Sequence, residues 1–339
     1  MAVSSQFTGA RPGLISIDAA PALSPVPRID PACREIRRAH FPDRITFYAP
    51  GLKPYKTSEY GSHNAAEFVS ISVTGTACAL SCEHCKTNVL KGMSALPESR
   101  GSLFDLCSQL AELGARGVLI SGGCDRQGRV PLLSHVPDLI RVRRELGLTI
   151  RVHAGLPDEE TCAGLGEVGI DGAMVDIIGH ADTIREVYHL QEAQPEDYEE
   201  ALVRLERHRV PTVPHIILGL HFGRMLGEWR ALEMIARHPP KLLVLVILMP
   251  LTGTNMALCS PPALEEIGGF FEAARKALPA TPVTLGCARP LGEIKGAIDR
   301  LAIDAGLNGI AYPAEGVREY ARQRELEVNF VNACCGVAW

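Results

Sequence analysis

The chain lacks an excess of basic charge, a long apolar run and a secretory N-terminus. Its net charge at pH 7 is −5, which gives no electrostatic footprint for nucleic acid. The longest apolar run, Leu242 to Leu251, is about half of the roughly 20 residues that a membrane helix needs. The first residues do not combine a charged start with an apolar core and a cleavage site. We therefore expect a cytoplasmic protein that binds neither nucleic acid nor membranes.

The rest of the composition is that of a soluble globular protein. With 339 residues, 46% of them hydrophobic and 22% charged, the chain can bury a substantial core in one large α/β domain or two smaller ones. It has 11 cysteines. Without a secretory signal, so many cysteines favour a reducing compartment and metal binding, because a disulfide framework would not persist there.

An alternation of strand and helix patterns starts near residue 67. The predicted strands are Phe68–Gly75, Gly117–Ser121, Leu148–His153, Gly172–Ile178, Thr212–Leu218, Leu242–Met249, Pro282–Cys287 and Gly309–Tyr312. The predicted helices between them are Phe104–Leu113, Val136–Leu146, Glu159–Val168, Pro195–His208, Glu228–Arg237, Ala263–Leu278 and Glu293–Ala305. Eight strands with crossovers between them predict a parallel α/β sheet closed into a (β/α)8, TIM-like barrel.

Shorter segments flank this predicted barrel. Residues 1–30, rich in Pro, Ala and Ser, predict a loosely ordered lead-in. Residues 31–66 predict an N-terminal extension with a short helix and a strand at Ile45–Tyr48. The barrel then covers residues 67–327, and residues 328–339 form a C-terminal tail that carries a pair of cysteines.

Three closely spaced cysteines, Cys78, Cys82 and Cys85, follow the first predicted barrel strand. Three thiolates hold three irons of a 4Fe–4S cluster and leave the fourth iron open to a ligand that is not protein. A zinc site would need a fourth Cys or His at short spacing, and His84 has little freedom to reach the same ion. A disulfide would leave one thiol over, and three inert thiols are the remaining alternative.

The spacing Cys78-x3-Cys82-x2-Cys85 resembles that of the radical S-adenosylmethionine enzymes. The flanking segments 71–78 and 82–86 look like the biotin-synthase-related branch, and more narrowly like a subunit of the two-component lipoyl synthases. The resemblance implies a radical S-adenosylmethionine barrel. It also implies that the open iron binds the methionine amino and carboxylate groups and that the sulfonium is reduced to a 5′-deoxyadenosyl radical.

Backbone at two strand ends is predicted to contact this cofactor. Gly122 and Gly123 stand where the resembling family has Gly-Gly-Glu, whose backbone meets the methionine amino group. Cys124 replaces the acidic residue, so only backbone contacts are carried over. Ile217 and Gly219 lie in a segment that resembles the adenine support of the family. Plain strand-to-helix turns and an ordinary barrel strand are the alternatives.

Polar residues on the predicted strands are further candidates, because polar groups in an apolar barrel are costly without a partner. Residues two apart on a strand share a face, as Arg151 and His153 do. We assign His153 to the cofactor. The substrate candidates are Arg151, Asp176, His215, Arg289 and Tyr312. Each of them could instead be a satisfied polar group of the core.

Four other cysteines form a candidate second iron–sulfur site. Cys124 and Cys287 end predicted strands at the face where a TIM-like barrel places its functional groups. Cys334 and Cys335 can reach that face if the C-terminus folds back over it. Four thiolates would complete a second cluster over the barrel mouth, whereas scattered inert thiols are the alternative.

The function that these features predict is a radical enzyme that inserts sulfur into an unactivated C–H bond, as the resemblance to lipoyl and biotin synthases implies. The substrate would be an octanoyl group on an acyl-carrier or lipoyl-domain protein, or on a lysyl peptide. An electron donor of the ferredoxin or flavodoxin type and a second related subunit are the implied partners. The alternative is a single-cluster radical enzyme, such as a mutase, dehydrogenase or methylase. An electron-transfer protein is disfavoured, because it would not leave an iron open.

Overall fold

A computed structural model describes residues 26–53, 55–60, 64–99 and 101–337 of the chain. Of the lead-in predicted over residues 1–30, residues 1–25 lie outside the described residues. Within the described part, no helix is both long and apolar enough to cross a membrane.

Ten α-helices and eleven strands alternate along the described residues. The helices are α1 Ala32–His40, α2 Leu103–Glu112, α3 Val136–Arg141, α4 Glu159–Val168, α5 Ala181–Val187, α6 Pro195–Arg207, α7 Glu228–Arg237, α8 Leu264–Ala277, α9 Glu293–Asp304 and α10 Val317–Gln323. The strands are β1 Arg44–Tyr48, β2 Phe68–Ser72, β3 Ser94–Ala95, β4 Gly117–Ser121, β5 Thr149–His153, β6 Gly172–Asp176, β7 Thr212–Leu218, β8 Leu243–Ile247, β9 Val283–Leu285, β10 Gly309–Ala311 and β11 Glu327–Val331.

All eleven strands form one parallel sheet, in the order β11-β1-β10-β9-β8-β7-β6-β5-β4-β2-β3. The eight predicted barrel strands correspond to β2 and β4 to β10, and they lie side by side in chain order with helices between them. The predicted α/β class and TIM-like strand order are therefore confirmed.

The expected closure of eight strands needs correction. β1, from the predicted N-terminal extension, pairs with β10 and β11, so the described sheet ends at β11 and β3. Single hydrogen bonds join the two sides across this seam. The Gly51 N–H donates to the Phe68 carbonyl at 3.2 Å, and the Asn332 side-chain amide donates to Glu67 Oε2 at 2.8 Å. The barrel is thus a curled sheet with a seam beside β2.

Alternation along the strands gives the sheet two apolar faces. The face toward the helices carries residues such as Ile120, Val152 and Leu245. The inner face carries Tyr48, Phe68, Met174, Val213, Val244 and Val246. Ala333, Cys334, Cys335 and Val337 of the tail belong to this inner cluster. The tail therefore enters the interior of the sheet rather than folding over its mouth.

Several predicted boundaries shift for local reasons. The first barrel strand ends at Ser72 instead of Gly75, because the Ser72 hydroxyl donates to the Gly75 carbonyl at 2.6 Å and Gly75 turns the chain with φ +60°. The helix predicted over Val136–Leu146 is α-helical only to Arg141 and continues as a π turn to Leu146. The sequence patterns did not predict α5, α10, β3 or β11.

Candidate active site

A cavity of about 330 Å³ lies inside the curled sheet, at the carboxyl ends of its strands. Seven cysteines line it: Cys78, Cys82, Cys85, Cys124, Cys287, Cys334 and Cys335. Their contacts divide them into two groups. Cys78, Cys82 and Cys85 form the first group, with Cys124 beside them, and Cys287, Cys334 and Cys335 form the second.

The first group sits on the loop after β2. Cys82 and Cys85 are hydrogen-bonded, and this bond lowers the pKa of Cys85 to about 4 and raises the pKa of Cys82. The Cys124 N–H donates to Cys78 Sγ at 3.4 Å, so backbone of the β4 turn supports the first thiol. Soft thiolates at this spacing suit an iron–sulfur cluster.

The two glycines of the β4 turn hold the cysteine loop. The Gly123 N–H donates to Thr74 Oγ1 at 2.7 Å, and the Cys124 carbonyl accepts from the Ala79 N–H at 2.8 Å. A Cβ on Gly123 would lie 2.6 Å from the Cys78 Cα, which leaves no room for a side chain. Both glycines line the cavity, yet Gly123 is required by the close approach of the cysteine loop and not only by a cofactor.

Glu83, inside the cysteine loop, ties it to two neighbouring loops. His189 places Nε2 2.8 Å from Glu83 Oε1 and Nδ1 2.8 Å from the Leu80 carbonyl. Lys86 Nζ donates to the same carboxylate at 3.0 Å, and the Asn255 side-chain amide donates to its other oxygen. Sequence reasoning missed this group, because its members are far apart in the chain.

A polar cluster on the cavity wall is formed by residues of β5, β6 and β7, with Tyr188 beside them. Tyr188 donates to Asp176 Oδ2 at 3.0 Å, and His153 Nε2 lies 3.6 Å from Asp176 Oδ1. The rings of His153 and His215 are 5.7 Å apart. The structure thus brings together His153, Asp176 and His215, which the sequence analysis named as candidates. It adds Tyr188, which directly follows the unpredicted helix α5.

In this cluster the pKa values of the two histidines shift in opposite directions. Burial lowers the pKa of His153, but the neighbouring Asp176 carboxylate outweighs burial and raises it. Burial and the charge of His153 lower the pKa of His215 to about 4. Burial raises the pKa of Asp176, but His153 outweighs it and the net shift is downward. At neutral pH the cluster therefore holds an anionic Asp176 and a neutral His215.

The second thiol group lies deeper in the sheet. Cys335 is hydrogen-bonded to both Cys287 and Cys334, and the Gly336 N–H donates to Cys334 Sγ at 3.4 Å. Cys124 is not part of this group. Its backbone faces Cys78, and its Sγ packs 3.2 Å from the position that a Cβ on Gly155 would take. The structure therefore groups three of the four predicted thiols, and their role as ligands stays a prediction.

Two cations approach the second group. Arg151 is 6% exposed, its Nη1 donates to the Asp171 carbonyl, and its Nε has no hydrogen-bond partner among the described residues. Gly172 leaves room for this guanidinium, since a Cβ there would overlap it. Lys53 Nζ lies 4.5 Å from the centre of the Tyr312 ring. The hydrogen bonds with Cys335 lower the pKa of Cys334 and of Cys287, and the charges of Arg151 and Lys53, respectively, lower them further.

Three predicted contact residues have other roles. Arg289 is 1% exposed and donates to Asp299, to the Gly286 carbonyl and to the Tyr312 carbonyl, so its charge is already paired. Tyr312 donates to the Pro50 carbonyl and does not line the cavity. Gly219 packs against Pro262 with φ +76° outside the cavity, whereas Ile217 lines it. The sequence could not reveal these partners.

Among the described residues, no three His, Cys, Asp or Glu side chains converge on a point where one metal ion could sit. The thiolates of a four-iron cluster bind different irons, so they surround a space instead of meeting at one point. Two groups of three thiols on the wall of one cavity fit that requirement.

Known proteins resemble this chain in sequence and in fold. No protein-family model matches the chain. A biotin synthase from Halorhodospira halophila (strain DSM 244 / SL1) is 26% identical over 298 residues, which cover 84% of this chain and 82% of that protein. The crystal structure of methylornithine synthase (PylB) is similar with a TM-score of 0.57 and 15% identity over 88% of this chain and 87% of the other.

A second structural relative is the FeFe-hydrogenase maturase HydG from Carboxydothermus hydrogenoformans. Its TM-score is 0.55 at 15% identity, over 87% of this chain and 70% of the other. At such identities the two structures show a shared fold alone. The three-cysteine loop has the ligands for an iron–sulfur cluster with one iron left open. The sequence similarity to a biotin synthase agrees with the predicted resemblance to the biotin-synthase-related branch of the radical S-adenosylmethionine enzymes. That resemblance implies a 4Fe–4S cluster, which Cys78, Cys82 and Cys85 would hold, and S-adenosylmethionine.

Proposed function

We propose that this enzyme inserts sulfur into an unactivated C–H bond, with lipoyl synthase activity on an octanoyl group. The observation that carries the proposal is the second thiol group. Cys287, Cys334 and Cys335 line the same cavity as the three-cysteine loop, so a second iron–sulfur cluster there would lie beside the bound substrate. An enzyme with one cluster would have no need of three thiols grouped in that place.

The outer wall of the cavity suits an alkyl chain. Leu52, Val89, Met93 and Leu251 line it, and they come from the loop after β1, the turn after the cysteine loop and the loop after β8. An octanoyl chain entering between these loops would exchange water for apolar contacts, each buried methylene contributing about 0.8 kcal/mol. Its carrier, an acyl-carrier or lipoyl-domain protein or a lysyl peptide, would stay outside.

Bound S-adenosylmethionine and the open-iron cluster would supply a 5′-deoxyadenosyl radical. The protein side chains exclude water from the cavity and hold the polar ends of the ligands. The anionic Asp176 and its neighbour His153 are placed to receive a cationic or hydroxyl group, whereas the apolar wall receives the alkyl chain. A ferredoxin- or flavodoxin-type electron donor and a second, related subunit belong to this proposal.

The test is anaerobic incubation of the purified enzyme with S-adenosylmethionine, a reductant and octanoyl-lysyl peptide, followed by mass analysis. We expect sulfur-containing peptide products together with 5′-deoxyadenosine. The Cys82→Ala variant should give neither, and Cys162→Ala is its control, because Cys162 is a buried filler of α4 away from the cavity. Peptide that is altered without gain of sulfur would contradict the proposal.

The alternative is a single-cluster radical enzyme, such as a mutase, dehydrogenase or methylase. The double variant Cys334→Ala, Cys335→Ala separates the two possibilities. With two four-iron clusters, wild-type protein should contain about eight irons and the variant about four. The variant should still cleave S-adenosylmethionine but transfer no sulfur. Equal iron content in both proteins would favour the single-cluster alternative.

A further inference from the structure

The second thiol group has three members in the structure, one fewer than the four irons of a 4Fe–4S cluster. We propose that Cys287, Cys334 and Cys335 hold the second cluster by themselves, and that its fourth coordination position faces the cavity and binds a small sulfur anion such as hydrosulfide. This inference rests on the second cluster of the proposed function. It adds a binding site for an inorganic ligand to that cluster.

Geometry excludes Cys124 as the fourth protein ligand. The Cys124 N–H donates to Cys78 Sγ, its carbonyl accepts from Ala79, and its thiol lies against Gly155. These backbone contacts hold Cys124 beside the cysteine loop. The groups that act electrostatically on its thiol are Cys78, Asp176, Asp125 and Cys85, and none of them belongs to the second thiol group.

No other described residue offers a ready fourth ligand. His153 is turned toward the Asp176 carboxylate at 3.6 Å, and Asp176 already accepts from Tyr188. Arg289 is paired with Asp299 behind the second thiol group. In the described part of the chain, the charged side chains that act on the three thiols are Lys53, Arg151 and Arg289, and no carboxylate is among them. The remaining position therefore faces the cavity that all three thiols line.

The charge around the site favours an anion. Arg151 and Lys53 form no ion pair with a carboxylate among the described residues, and Arg151 keeps a buried Nε without a partner. A buried cation without a counter-charge, as Arg151 is, is costly. The thiolates compensate part of this positive charge, and an anionic ligand on the open position would compensate more of it. Iron with thiolate ligands also accepts a soft donor such as sulfur.

The experiment uses the full-length triple variant Cys78→Ala, Cys82→Ala, Cys85→Ala, reconstituted with iron and sulfide and then desalted. Only the second cluster should remain, with about four irons. After reduction, isotope-labelled cyanide serves as a probe, because it binds open iron as a small soft anion. We expect hyperfine coupling to the label in the electron paramagnetic resonance spectrum, and sodium sulfide should suppress it in competition.

The matched control adds Cys124→Ser to the triple variant. Iron content and cyanide coupling should stay unchanged, because Cys124 is no ligand of this site. If the triple variant does not fold, the single variant Cys82→Ala serves for the same measurement.

Each contrary result has a distinct meaning. Four irons without cyanide coupling would show a filled fourth position and overturn this inference, while the second cluster and the proposed function stand. Coupling that sulfide does not suppress would overturn the sulfur ligand. Loss of iron with Cys124→Ser would restore the four-cysteine site. A triple variant without iron would remove the second cluster and the main support for sulfur insertion with it.

Discussion

Gly123 shows how one missing side chain can hold the cysteine loop in place. We predict that Gly123→Val displaces the cysteine loop, since its Cβ would lie 2.5 Å from Cys78 Cβ. Cluster absorbance and S-adenosylmethionine binding should both be lost. The control is Gly269→Val, at an exposed helical position where a Cβ meets nothing within 4 Å. An intact cluster spectrum with weakened cofactor binding would instead show that Gly123 contacts the cofactor alone.

The His153–Asp176 pair should make stability depend on pH. The pKa of His153 is raised, so its stabilising effect is complete below about pH 6.5 and is lost as pH rises through the folded-state pKa. Asp176 has a lowered pKa and contributes above about pH 4. Asp176→Asn should therefore destabilise the protein by about 1 kcal/mol more at slightly acidic than at alkaline pH.

Chemical denaturation of wild type and Asp176→Asn at the two pH values measures this difference. Asparagine can still accept the hydrogen bond from Tyr188, so the change isolates the charge. An equal loss of stability at both pH values would show that His153 does not carry a proton against Asp176.

The connection between β7 and α7 depends on one buried carboxylate. Glu228 is 5% exposed and accepts hydrogen bonds from the backbone N–H groups of Gly219, Leu220, Leu226 and Gly227. Glu228→Ala would leave several buried donors unsatisfied, each costing roughly 1–3 kcal/mol. We expect the free energy of unfolding to fall by about 3 kcal/mol or more.

The control for Glu228 lies one and a half turns further along the same helix. Glu233 is exposed, so Glu233→Ala should change stability by less than about 0.5 kcal/mol. Urea titration compares the two variants. Similar small losses in both would mean that the loop after β7 stays folded without the carboxylate.

The tail after β11 is the element that fills the interior of the sheet. Deleting residues 333–339 would uncover inner-face residues such as Met174 and Val213, against which Gly336 packs. Burying a Val side chain contributes about 1.5–3 kcal/mol. We therefore expect a lower unfolding midpoint and binding of a hydrophobic dye. Deletion of residues 338–339 alone is the control, and it should leave all described tail contacts intact. A normal midpoint after the longer deletion would contradict the role of the tail.

The molecule as a whole should be more stable when its thiol sites are loaded. Both thiol groups lie on one central cavity, and Arg151 stays buried beside the second with an unpartnered Nε. A group that binds only the folded state stabilises it, by about 4 kcal/mol at a thousandfold excess over Kd. Anaerobic reconstitution should raise Tm, and the Cys334→Ala, Cys335→Ala variant should gain less. Iron uptake without a change in Tm would place the metal outside the cavity.

Most of the architecture follows from patterns that are local in the chain. The run Leu243–Ile247 is buried on both faces, as strands of a helix-covered parallel sheet must be. Such runs alternate with amphipathic helices, which made the order of β2 and β4 to β10 predictable. The seam was not predictable, because the pairing of β1 with β10 joins segments more than 250 residues apart.

The sequence by itself determined the TIM-like order and the candidate first site, because Cys78, Cys82 and Cys85 lie within one loop and need no tertiary contact to be recognised. Tertiary structure decided the rest. It moved Cys124 to the first thiol group, brought Cys334 and Cys335 to Cys287 inside the sheet, and paired Arg289 with Asp299. These outcomes depend on the directions of the side chains and on where the tail packs inside the sheet. Both are set by packing between distant segments, which no local pattern in the chain records.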